Sequence, residues 1–329
     1  MPRGWRRTPP PCRSRCRRPS SRNSTPCSLR PRQPRRSSSS EPQRGLPGEQ
    51  WRPATPVPRR IPGDIVMALR PWSQARVVAA FALLLALPLA ASAQLKVMIS
   101  GGFSGPYEQL LPEFERSSGI QVTTGSGSSQ GTGPQTIAAQ LARGVPTDVV
   151  ILSREGLNEL VAARRIVAGT DVDLARTPLA MAVRTGSPKP DVRTVEAFKQ
   201  VVTQARLVAV PGSTSGIFLA KDVFPRLGIA DKVRLKATPR GAEVAALVAS
   251  GEADLAILPV SEIVHVPGLE LAGVLPEEIQ LHQAFAAAAV EGSTQLEGAR
   301  RLIAFLASEQ AAGAIQRGGM TPLGRRAAN

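Results

Sequence analysis

The stretch Leu95-Lys-Val-Met-Ile-Ser-Gly-Gly-Phe-Ser-Gly-Pro-Tyr-Glu-Gln-Leu-Leu-Pro-Glu-Phe-Glu-Arg-Ser-Ser-Gly-Ile-Gln-Val-Thr-Thr124 decides the fold. Leu95–Ile99 is a short β-rich run. Tyr107, Leu110, Leu111 and Phe114 follow at i, i+3, i+4 and i+7, the spacing of one helix face, and Ser117-Ser118-Gly119 stops that helix. Ile120–Thr124 reads as a second strand. Two strands joined by a helix of this length point to a parallel pair with a crossover, the unit of α/β folds.

Outward from that unit the alternation continues. A helix over 135–143 leads to a strand at 148–152, a helix at 155–165 and a strand at 179–183. The series then restarts with helix 195–204, strand 207–210, helix 216–227, strand 233–237, helix 243–250, and strands 254–258 and 269–274. A long apolar strand at 281–290 and helices at 296–306 and 310–316 close the chain. These are too many units for one small sheet, and 179–183 and 281–290 read as crossings. The expected architecture is α/β with two lobes, each a mainly parallel sheet flanked by helices, joined by crossing strands. Lobe 1 would comprise 94–182 and 282–329, and lobe 2 would comprise 183–281.

The net charge of +16 suggests a polyanion partner until its distribution is read. Residues 1–93 hold 18 of the 41 basic residues, all Arg, and only three acids, Glu41, Glu49 and Asp64. The remaining 23 basic and 22 acidic residues nearly cancel. The basic character therefore belongs to the leader, and no nucleic-acid partner follows from it. Cys12, Cys16 and Cys27 lie there too, so the rest of the chain has no thiolate for catalysis or metal binding and needs no disulfide.

Residues 1–66, rich in Arg, Pro and Ser, lack the apolar content to offset ordering entropy and read as a disordered leader absent from the mature protein. At Met67 an export signal begins, with Arg70 and Arg76 ahead of the apolar run Val77–Ala91 and a small-x-small site at Ala91-Ser-Ala93. Residues 67–93 are the expected signal peptide, cleaved before Gln94, which places the mature protein in the periplasm.

Three Gly/Ser-rich turns each follow a strand and precede a helix: Ser100–Gly105, Gly125–Gly133 and Pro211–Gly216. Ligands of open α/β sheets bind at such strand ends. The first N–H groups of a helix are unpaired and favour anions, glycine permits close backbone approach, and hydroxyls add adjustable donors. Two loops on one lobe and one on the other predict a cleft for a small anionic solute. No nucleotide motif is present, the two histidines (His265 and His282) form no metal site, and no cofactor is expected. Gly127-Ser-Ser129-Gln-Gly131 fits the Gly-x-Ser-x-Gly pattern of a serine hydrolase, with Asp148, Asp254 and the histidines as formal partners. The same residues suit an anion loop, which is the preferred reading.

The motifs Val97-Met-Ile-Ser-Gly-Gly-Phe103, Gln140-Leu-Ala-Arg-Gly-Val-Pro-Thr-Asp-Val-Val-Ile-Leu152, Thr214-Ser-Gly-Ile-Phe-Leu-Ala-Lys221 and Leu247-Val-Ala-Ser-Gly-Glu-Ala-Asp-Leu-Ala-Ile257 occur in an order that resembles the periplasmic molybdate-binding proteins of ABC transporters. The likeness runs over 95–325. It implies a type II solute-binding fold, an oxyanion held by hydroxyls and backbone N–H groups, an inner-membrane ABC permease as partner, and a monomer. Carried over by position, the contacts fall at Gly102, at Ser128 or Ser129, at Ser215, near Gly241 and at Pro259. Two positions depart from the family pattern. The first-loop serine is replaced by Gly102, with Ser104 as a substitute, and the expected tyrosine is Pro259, which offers neither hydroxyl nor N–H. Fewer fixed donors suit an organic acid, for which Arg240 could supply a bidentate clamp. Some relatives of this family are periplasmic isomerases of aconitate. An isomerase needs an acid/base that moves a proton, and His282 and Glu243 are the candidates.

Overall fold

The computed structural model describes residues 94–324. The expected leader at 1–66, the expected signal peptide at 67–93 and the last five residues of the expected lobe 1 lie outside the described residues. In chain order the elements are β1 (Gln94–Ile99), α1 (Gly101–Ser118), β2 (Gln121–Ser126), α2 (Ile137–Ala142), β3 (Val149–Ser153), α3 (Arg154–Ala162), β4 (Val172–Arg184) and α4 (Val195–Gln204). There follow β5 (Val208–Pro211), α5 (Thr214–Phe218), a π-helical turn (Leu219–Val223), α6 (Phe224–Arg226), β6 (Leu235–Thr238), α7 (Gly241–Ala249) and β7 (Leu255–Pro259). The remainder comprises a 3-10 turn (Val260–Glu262), β8 (Leu269–Val274), a second 3-10 turn (Glu277–Ile279), β9 (His282–Ala289), α8 (Leu296–Leu306), α9 (Glu309–Arg317) and β10 (Thr321–Pro322).

The strands run in the order β2-β1-β3-β9-β4-β7-β5-β6, with β8 and β10 paired to β4 off that path. The α/β class is as expected, and the sheet is mixed. β2, β1 and β3 are parallel, as are β6, β5 and β7. β4 and β9 run antiparallel to their neighbours, because a strand that carries the chain across must return against the strands it joins. β4 pairs β9 through Pro178 and pairs β7 from Leu179 onward, so the change of partners falls within one residue step. The Gln280 side chain holds that step: its Oε1 accepts the Leu179 N–H at 2.7 Å, and its amide donates to the Leu179 and Leu275 carbonyls.

Side-chain alternation explains the apolar runs. In β1 and β3, Val97, Ile99, Val149 and Ile151 face α1, α8 and α9 with Phe103, Phe114, Leu302 and Ile315. Met98, Val150 and Leu152 face the other side with Ile137 and Leu157. A strand buried on both faces reads as continuous hydrophobe. Beyond Leu179 the pattern repeats: Met181, Val210 and Ile257 pack with Phe198 and Phe224 on one face. Ala182, Ala209 and Ala256 make a flat opposite face that admits α7 through Val244 and Val248. Thr136, Ser153 and Thr194 cap their helices by accepting backbone N–H groups. Ser100 and Arg240, at the starts of α1 and α7, make no such cap bond.

Candidate functional site

The ends of β1, β2, β5 and β6, with the helices after them, converge on one cavity. Ser100, Ser128, Ser129, Thr214, Ser215, Arg240, Gly241, Glu262, Gln283 and Phe285 are among its lining residues. Its volume is about 30 Å³, room for a water or two. A second cavity of about 590 Å³ lies behind it, lined by Ser104, Glu108, Ser261 and His265 and sharing Gly101, Gly241 and Glu262 with the first.

Hydrogen bonds beside the small cavity link the 125–133 loop and its neighbours to the second half of the chain. Ser128 Oγ donates to the Pro239 carbonyl, and Arg240 Nη1 donates to Ser126 Oγ at 3.1 Å. The Gln130 N–H donates to Ser213 Oγ at 3.2 Å. Thr214 Oγ1 donates to Gln130 Oε1 at 2.8 Å and lies 2.8 Å from Ser153 Oγ.

Two polar groups inside the cavity have no partner. Ser100 Oγ and Gln283 Oε1 are both inaccessible to solvent and unbonded, and each residue is 4% exposed. An unpaired buried polar atom costs on the order of 1–3 kcal/mol, so such atoms mark a place where something else bonds.

Of the residues anticipated from sequence, Ser128, Ser129, Ser215, Arg240 and Gly241 line this cavity. Ser129 Oγ accepts the Ser153 N–H at 2.9 Å, which leaves its own proton to donate. Ser104 donates to the Gly101 carbonyl and borders the larger cavity instead. Gly102 lines neither; a Cβ there would lie 2.0 Å from the Phe285 ring, so its glycine serves that packing. Arg240 directs its guanidinium to Ser126 and Glu243. Pro259 ends β7 opposite Leu179 and is not a lining residue.

Neither histidine stands beside Ser129. His282 pairs with Glu277 at 3.0 Å and His265 contacts the Arg317 carbonyl at 3.1 Å, so no Ser-His pair is assembled. Tyr107 is a core residue whose hydroxyl meets Thr124 at 2.8 Å, and burial raises its pKa to about 12. Among the described residues no group of three or more His, Cys, Asp or Glu side chains could hold a metal ion, and no helix is long and apolar enough to cross a membrane.

Sequence reasoning passed over Gln283 and Glu262, and it included Ser100 in the first loop without singling it out. Ser100 lies two residues before the position chosen by family likeness. Gln283 had a legible signal, a single amide two residues ahead of the apolar run Phe285–Val290 in the same strand. Glu262 is an acid in Ile-Leu-Pro-Val-Ser-Glu-Ile-Val, immediately after a buried strand. Its carboxyl lies between two helix starts: a Cβ on Gly241 would be 1.5 Å from its Oε2, and one on Gly101 would be 3.5 Å from its carboxyl atoms.

Comparison with known proteins agrees with this architecture. An aconitate isomerase of a Pseudomonas species is 38% identical over 230 residues, 70% of this chain and 88% of that protein. The periplasmic molybdate-binding protein of Azotobacter vinelandii superposes with a TM-score of 0.55 at 22% identity, covering 69% of this chain and 98% of that one. The sulfate-binding protein of Mycobacterium tuberculosis gives 0.58 at 20% identity, covering 70% and 87%. These two establish the type II binding-protein fold. The model of the bacterial extracellular solute-binding protein family matches residues 95–321, and the chain belongs to that family.

Proposed function

We propose that the cleft takes a small organic polycarboxylate outside the cytoplasm. The observation that carries this reading is the cavity itself: two unpartnered polar atoms, five further hydroxyls and the uncapped starts of α1 and α7, with Arg240 as its one cationic lining residue. Hydroxyls and helix-end N–H groups bind carboxylate oxygens without a buried counter-charge. The neighbouring cavity gives such a molecule more room than a tetrahedral oxyanion needs once the shared wall moves. The family suits capture of a solute for an ABC permease, with export by the segment at 67–93. Thermal unfolding against citrate, both aconitate isomers, molybdate, tungstate, sulfate and phosphate tests this. Stabilisation by tricarboxylates supports it, and a response confined to molybdate and tungstate refutes it.

A second reading is favoured by the 38% identity to an aconitate isomerase together with the carboxyl of Glu262 at the junction of the two cavities. On this reading the bound tricarboxylate is turned over between its cis and trans forms. Ultraviolet absorbance at high enzyme concentration tests it, and absence of any change refutes it.

A further inference from the structure

We propose that Glu262 is the catalytic base that moves the proton along a bound tricarboxylate, an inference that rests on the isomerase reading. The expected candidates are poorly placed for the task. His282 is engaged by Glu277, and Glu243 faces the Arg240 guanidinium; neither lines the small cavity. Glu262 lines both cavities and, with Gly101 and Gly241, forms their common wall.

Its setting is built rather than incidental. The 3-10 turn Val260–Glu262 carries the side chain directly off the end of β7, and glycine at 101 and 241 leaves room for the carboxyl. A side chain at 241 would occupy the place of Oε2. Toward the small cavity the carboxyl meets the compartment that holds the unpartnered Ser100 Oγ and Gln283 Oε1. Toward the large one the other titratable groups are Glu108 from α1 and His265 from the segment after the 3-10 turn, while Arg240 stands at the start of α7. No hydrogen bond or ion pair to another described residue fixes the Glu262 carboxyl. Burial, with no neighbouring charge contributing, raises its pKa to about 7, where a carboxylate can both take and return a proton near neutral pH.

The step balances without a co-reactant. The Glu262 carboxylate removes a proton from the methylene carbon of cis-aconitate, and the C–H electron pair enters an allylic anion shared over three carbons. The same carboxyl then delivers that proton to the former vinylic carbon. The double bond moves by one position, and the rotamer of the methylene arm held when its proton leaves sets the trans geometry. The two oxygens of one carboxyl span the two ends of an allyl unit, so one residue on one face suffices. Nothing is oxidised or reduced, and no water is consumed.

The test uses the full protein with Glu262→Gln and Glu262→Asp. Turnover of cis-aconitate is read by absorbance, incorporation of solvent deuterium into the methylene by NMR, and citrate binding by thermal shift. Glu262→Gln is expected to lower turnover by roughly 10²–10⁴-fold while citrate still stabilises it. Glu262→Asp should retain weaker turnover with a displaced pH profile. Turnover of Glu262→Gln within a few-fold of the unaltered protein overturns the assignment, as does Glu262→Asp with an unchanged rate and profile should the glutamine variant not fold. If the unaltered protein binds citrate but neither turns over aconitate nor exchanges deuterium, the isomerase reading fails and takes this role with it. Binding alone would then stand.

Discussion

Ser100→Ala separates a binding residue from an ordinary helix cap. A serine at the start of a helix normally accepts a backbone N–H, and alanine there costs about 1 kcal/mol. For a chain of this size that loss would lower Tm by about 2–4 °C. Ser100 makes no cap bond, and its hydroxyl is buried without a partner. Removing a stranded polar group relieves a penalty on the order of 1 kcal/mol, so the sign reverses. The ligand-free variant should melt at the same temperature as the parent or a few degrees above it. The cost should appear on binding instead. A hydroxyl bonded to a carboxylate contributes about 1.5–3 kcal/mol, and its loss weakens citrate affinity by about tenfold or more. Thermal unfolding with and without citrate, followed by calorimetric titration, reads both quantities. A variant that melts 2–4 °C lower and binds citrate unchanged would refute the reasoning, since Ser100 would then be a cap and nothing more.

Gly102→Ala drives a methyl into the Phe285 ring and should cost about 1–3 kcal/mol by overpacking; Phe285→Leu in the same chain should restore part of it, as denaturant titration would show. Gln280→Ala strands the Leu179 N–H at the point where β4 changes partners, with an expected loss of about 1–3 kcal/mol and faster amide exchange at Leu179. The Glu262 carboxyl titrates higher in the folded protein than in the unfolded chain, so the folded state holds the extra proton. Its favourable contribution is full below about pH 4.5 and is lost as pH rises to 7, by on the order of 3 kcal/mol; Glu262→Gln should flatten that part of the stability profile.

Much of the fold was legible because most strands are buried on both faces and most helices carry one apolar stripe. Val195–Gln204, Leu269–Val274 and Leu296–Leu306 lie where the spacing placed them. The first half of β4 escaped notice because Val172-Asp-Leu-Ala-Arg-Thr-Pro178 mixes polar residues and a proline into a strand that is only partly covered. The helix expected over 216–227 is instead three short pieces around a π turn, with Pro225 in the last. The glycine- and serine-rich loops announced the cleft, since their composition reports backbone approach and hydroxyl supply directly. Glu262 gave no motif, and Gln283 gave only an amide set against an apolar run. Their meaning depends on which distant groups surround them, and that information resides in the packing of β7 and β9 rather than in local sequence.

The most direct test of the account is the thermal shift of the protein with citrate or cis-aconitate set against molybdate. A ligand at about 100-fold its dissociation constant stabilises a fold by about 2.7 kcal/mol, a rise of several degrees here. The account predicts that rise with the tricarboxylates, diminished in Ser100→Ala. A rise with molybdate and none with either tricarboxylate would contradict it.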